Sequence, residues 1–129
     1  MKFVDLKNNE LLKDKKISDD CKLGEITESH NKDKFKYRGV YILVDNDEVV
    51  YIGSAYARNV RDRLLQYQQN KNSGNSTLYS DLVDGNKCTE DEAKEYIKSL
   101  TAYAFPDESL EYKLIKCCDS AVNRAGNKG

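Results

Sequence analysis

Residues 39–53 constrain the fold of this chain more than any other stretch. Gly-Val-Tyr-Ile-Leu-Val is followed by Asp-Asn-Asp-Glu and then by Val-Val-Tyr-Ile-Gly, so two β-branched and aromatic runs flank a turn-forming tetrapeptide. That pattern predicts a β-hairpin with strands over 39–44 and 49–53. Successive side chains of a strand point to opposite faces, so Tyr41 and Tyr51 share a face only if facing positions sum to an even number, as when 41 faces 53 and 43 faces 51. Such a register needs an odd connection or a β-bulge.

Helical periodicity follows. Val60, Leu64 and Tyr67 recur at helical spacing within Ala57–Gln69, and Ser76–Val83 reads as a short second helix stopped by Gly85-Asn86. Thr89 and Glu92 form a capping box that starts a helix over 90–100. Thr101–Phe105 suits a third strand, closed by the single proline, Pro106, and a last helix is expected from about Asp107 to Cys118. The first 38 residues show no sustained period of either kind and read as a hairpin or loop-rich arm. These elements predict an α+β fold, a small, mainly antiparallel three-stranded sheet flanked by helices. Its length of 129 residues suits one domain, divided into an N-terminal arm over 1–37 and a core over 38–129.

Several function classes are disfavoured at this level. No apolar run is long enough to span a bilayer and no secretory leader is evident, so no membrane partner is expected. The four cysteines lack CxxC or zinc-type Cys/His spacing, and reduced thiols in a cytoplasmic protein are the expectation. Lys and Arg number 21 against 22 Asp and Glu, so a polyanion site would have to be local. The densest basic cluster is Arg58, Arg61 and Arg63.

Two placements could carry chemistry. On a helical wheel, Cys117, Leu110, Leu114, Cys118 and Ile115 form one apolar arc, and Glu111 falls inside it. A carboxylate there must reach solvent at the arc's edge or meet an arginine, a metal ion or hydrogen-bond donors. Arg63 and Tyr67, four residues apart, stand over one another on the first main helix, which ordinary stem-on-ring packing would also explain.

Taken in order, Gly39-Val40-Tyr41, Tyr51-Ile52-Gly53, Arg63, Tyr67, Glu111 and Asn123 resemble the signature of the GIY-YIG nuclease family, over residues 38–124. Val40 replaces the Ile of the first motif, about two extra residues lie between Gly53 and Arg63, and Ser54 stands where some members carry a lysine. Asn75 occupies the place of a histidine found in the homing-enzyme branch, and His30 lies outside the matched region.

The resemblance implies endonucleolytic hydrolysis of DNA with one Mg²⁺ or Mn²⁺ per active site. It places Glu111 as the metal ligand, Arg63 on the non-bridging phosphate oxygens, and Tyr41 as proton acceptor with Tyr51 positioning water or phosphate, two roles that can be exchanged. Tyr67 would hydrogen-bond within the cluster and Asn123 would orient Glu111 or the metal's waters. Gly39, Gly53, Ser54, Arg58 and Arg61 are the expected substrate contacts. A stand-alone restriction-, phage- or defence-related nuclease is expected, with DNA as partner and with a homodimer or a specificity-giving protein as further partners. The competing expectation is a binding module for nucleic acid or protein that keeps the fold without catalysis, such as an inhibitor or anti-defence factor.

Overall fold

The computed structural model describes residues 2–10, 12–17, 19–55, 58–69, 89–107 and 109–117. Along them run α1 (Phe3–Lys7), β1 (Asp19–Lys22), two 3₁₀ turns, β2 (Gly39–Asp45), β3 (Glu48–Ala55), α2 (Val60–Gln69), α3 (Glu90–Ser99), β4 (Thr101–Phe105) and α4 (Leu110–Cys117). The class is α+β. The sheet has four strands in the order β1-β4-β2-β3, every neighbouring pair antiparallel.

The expectation of three strands is corrected by β1, which pairs Cys21 with Ala102 on β4. Of the four residues of β1 only Cys21 is buried, so the strand lacks the apolar alternation by which a half-buried strand is recognised. The arm is correspondingly part of the fold, with α1 packed under the sheet and a 3₁₀ turn between β1 and β2 running into the core.

The hairpin has the register that the tyrosine spacing demands. Tyr41 faces Gly53 and Leu43 faces Tyr51, whereas Val44 faces Val49, so a bulge at Val50 shifts the ladder by one residue. Asn46 and Asp47 take φ of 46° and 71°, the left-handed pair that a tight two-residue hairpin turn requires.

Two apolar layers cover the sheet. Tyr41, Leu43, Ala102 and Ala104 meet Val60, Leu64 and Tyr67 of α2, Ala93 and Ile97 of α3, and Leu23, Ile26 and Phe35 of the arm. On the other face Val40, Ile42, Val44, Ile52 and Phe105 meet Phe3 and Leu6 of α1 and Leu110 and Leu114 of α4. Edge strand β3 therefore lies between helices on opposite faces.

Helix starts follow side-chain chemistry. Thr89 and Glu92 make both bonds of the capping box. Helix α2 begins three residues later than expected, where the Asn59 side chain accepts from the Asp62 amide. Helix α4 begins at Leu110, after Asp107 has taken up the amide and hydroxyl of Ser109. The expected helix over 76–83 lies outside the described residues. Among those described, no helix is long and apolar enough to cross a membrane.

Candidate active site

The bulge brings Tyr41 and Tyr51 to one face of the hairpin, and α2 lays Tyr67 against both. Ring centroids are 6.4 Å apart for Tyr41 and Tyr51, 6.0 Å for Tyr41 and Tyr67, and 6.1 Å for Tyr51 and Tyr67. The triangle is closed by a 2.9 Å hydrogen bond between the Tyr41 and Tyr67 hydroxyls. Burial raises both phenols well above their ordinary range. At Tyr41 the Tyr51 phenol adds to this, while the hydrogen bond with Tyr67 and the nearby Arg63 guanidinium oppose it; at Tyr67 the neighbouring phenols push further up.

Arg63, one turn before Tyr67 on α2, is half-buried, and its Nε is enclosed without a hydrogen-bond partner among the described residues. Its guanidinium is close enough to Tyr41 to favour the ionised phenol.

Glu111 arrives from the other side. It sits half-buried on α4, the helix packed beneath the sheet, and Ser54 on the edge strand donates from Oγ to Glu111 Oε1 at 2.9 Å. A cleft of about 500 Å³ at this edge is lined by Tyr41, Tyr51, Gly53, Ser54, Arg58, Arg63 and Glu111, joined by Ala55, Asn59 and Gln66. Tyr67 completes the wall behind Tyr41. The helical wheel puts Glu111 inside an apolar arc; in the structure it is half-buried, accepts from the Ser54 hydroxyl and lines the cleft.

Other expected residues fall elsewhere. Gly39 is a packing position, because a Cβ there would press into the Phe105 carbonyl oxygen and come within 2.9 Å of Pro106 Cα. Arg61 lies outside the cleft lining, and its guanidinium donates to the carbonyls of Ile26, Asn31 and Lys34 at 2.9, 2.8 and 3.4 Å, binding the arm to α2. Arg58 is exposed on the cleft rim. Ser54 is 7% exposed and engages Glu111. His30 is exposed beside Glu28, away from the cleft. Asn123 lies outside the described residues, as does Asn75.

Sequence reasoning missed Asn59 and Gln66, which line the cleft beside Arg63. The three-residue spacing of Arg63 and Gln66 on one helix face was the available signal. It also missed the arm's support of α2, whose first amides, Val60 N and Arg61 N, donate to the carbonyls of Tyr37 and Phe35 at 2.7 and 2.8 Å.

The donor set suits a hard cation. Glu111 brings a carboxylate to the cleft lining, the all-oxygen chemistry of Mg²⁺ or Mn²⁺ held by one carboxylate with water completing the shell. Among the described residues no group of three or more His, Cys, Asp and Glu converges, an arrangement that single-carboxylate binding does not need.

Compared with known proteins, the chain matches no family model, no curated protein and no solved structure.

Proposed function

We propose that the chain is a divalent-metal-dependent endonuclease of GIY-YIG type that hydrolyses DNA phosphodiesters. One observation carries the reading: two hairpin tyrosines, Arg63 and Glu111 line a single cleft, although α2 and α4 bring the last two from opposite faces of the sheet. Arg63 also supports it, since it lines the cleft and its enclosed Nε has no hydrogen-bond partner among the described residues.

Each residue then has a task. Arg63 offers a rigid fork to the non-bridging oxygens, which a lysine cannot reproduce. Arg58 on the rim meets an adjacent phosphate of the strand. Tyr41 takes the proton of the attacking water, and Tyr51, beside it on the cleft wall, orients that water or the phosphate. Tyr67 holds the Tyr41 hydroxyl in place. Gly53 leaves the room that the Tyr41 ring fills. Glu111 would hold the cation, which supplies charge neutralisation at the phosphate and at the departing 3′-oxygen. Burial keeps Tyr41 protonated even with Arg63 beside it, so its service as a base would depend on the further positive charge of a cation held by Glu111. A cleft with one carboxylate cuts one strand, so a double-strand break calls for a homodimer or two successive nicks.

The test is relaxation and linearisation of plasmid DNA by the purified protein with Mg²⁺, Mn²⁺ or EDTA, beside folded Glu111→Ala and Arg63→Ala proteins. Metal-dependent cutting lost in both variants is the expected result. No cutting by the wild type overturns the assignment in favour of a non-catalytic binding module, and cutting that survives Glu111→Ala overturns the assignment of this cleft as its site.

A further inference from the structure

Ser54 has a position no substrate contact needs. On β3 it pairs with Val40, whose side chain lies in the layer beneath the sheet, and its hydroxyl is buried on the side where α4 packs. There it donates at 2.9 Å to Glu111 Oε1. An ionised carboxylate only accepts, so the direction of this bond is settled by chemistry. A glutamate side chain free to rotate presents its oxygens in many directions, and ordering it for a ligand costs rotamer entropy. With Oε1 tied to an edge strand that is itself hydrogen-bonded along its length, the carboxylate plane is held before any ligand arrives.

We propose that Ser54 is the positioning residue of the Glu111 carboxylate, setting which of its lone pairs face the cleft and so its affinity for a hard divalent cation. This rests on the nuclease reading of the cleft. It replaces a role for Ser54 on the substrate itself, because the hydroxyl is already committed to the carboxylate. Partners of this kind behind a ligating side chain contribute roughly 10- to 100-fold in metal affinity.

The experiment compares wild type with Ser54→Ala, Ser54→Cys and Ser54→Thr. Cysteine nearly preserves shape while donating weakly, and threonine keeps the hydroxyl and suits a strand. Mn²⁺ binding to the full chain without DNA is read by electron paramagnetic resonance of the free ion, and the Mn²⁺ concentration giving half-maximal plasmid nicking is measured in parallel. Ser54→Ala and Ser54→Cys are expected to weaken Mn²⁺ in both assays by about 10- to 100-fold. Ser54→Thr should restore affinity. Should Ser54→Ala fail to fold, Ser54→Cys and Ser54→Thr still separate donor from shape. Wild-type Mn²⁺ affinity in folded Ser54→Ala or Ser54→Cys overturns the positioning role and leaves the nuclease reading intact, whereas a wild-type protein that neither binds Mn²⁺ nor nicks DNA overturns both.

Discussion

The Tyr41 hydroxyl stands over the Cα of Gly53, its partner across the β2–β3 ladder: a Cβ at Gly53 would lie 2.5 Å from Tyr41 Cζ and closer still to its hydroxyl oxygen. The ring is buried between Gly53 and α2, so it can move aside only at a cost in packing. Gly53→Ala should therefore destabilise the protein by about 1–3 kcal/mol and displace the Tyr41 ring from the cleft wall. Urea denaturation with tyrosine fluorescence measures the first effect and loss of plasmid nicking the second. An alanine protein as stable as wild type would show that the ring has room to move.

The three tyrosines should separate by hydroxyl deletion. Tyr41→Phe is expected to lower nicking by about 10²- to 10⁴-fold, as removal of a proton acceptor does. Tyr67→Phe removes only the partner of Tyr41, with a smaller loss of rate and about 1 kcal/mol of stability. If Tyr51→Phe rather than Tyr41→Phe abolishes the rise of rate with pH, the two hairpin tyrosines exchange roles.

Alkali should unfold the protein through its buried phenols. Burial keeps the proton on Tyr41 and Tyr67 beyond the usual phenol range, and Tyr96, half-buried and bonded to Asp45, is pushed up to about 12. In the unfolded chain these groups ionise near about pH 10. Below that pH both states are protonated and stability is level. Above it the unfolded state releases protons that the native state retains, so stability falls as pH rises from about 10 through 12. Urea midpoints measured across this range should drop, and less steeply in a Tyr67→Phe, Tyr96→Phe double variant. An unchanged midpoint at pH 11 would contradict the raised phenols.

The two helix arginines should part company. Arg61→Ala removes three charge-assisted bonds to the arm and should cost about 2–3 kcal/mol, with faster amide exchange over residues 26–37. Nicking should persist where this variant remains folded. Arg63→Ala should stay within about 1 kcal/mol of wild type while nicking is lost. Equal loss of activity in two folded variants would return Arg61 to the phosphate.

Much of this was legible because local chemistry and global packing agree. The even-sum argument on Tyr41 and Tyr51 anticipated the ladder and its bulge, since strand periodicity admits only two answers. Thr89 and Glu92 announced α3 because both capping partners are local. Glu111 stood out on an apolar arc, but Ser54 as its donor did not, since that bond joins residues far apart in the chain across the edge of a sheet. β1 escaped because a strand with one inward side chain has no pattern to detect, and Arg61 misled because a basic cluster in a sequence says nothing about which carbonyls will surround each guanidinium.

The placement of α4 beneath the edge strand also sets an order in time. During synthesis the hairpin and α2 emerge before α4, and with them the aromatic wall and Arg63, while Glu111 follows from the last described helix. A nascent chain thus has its aromatic wall and arginine before its carboxylate, and the cleft is complete only once β4 has paired between β1 and β2 and the final helix has packed underneath.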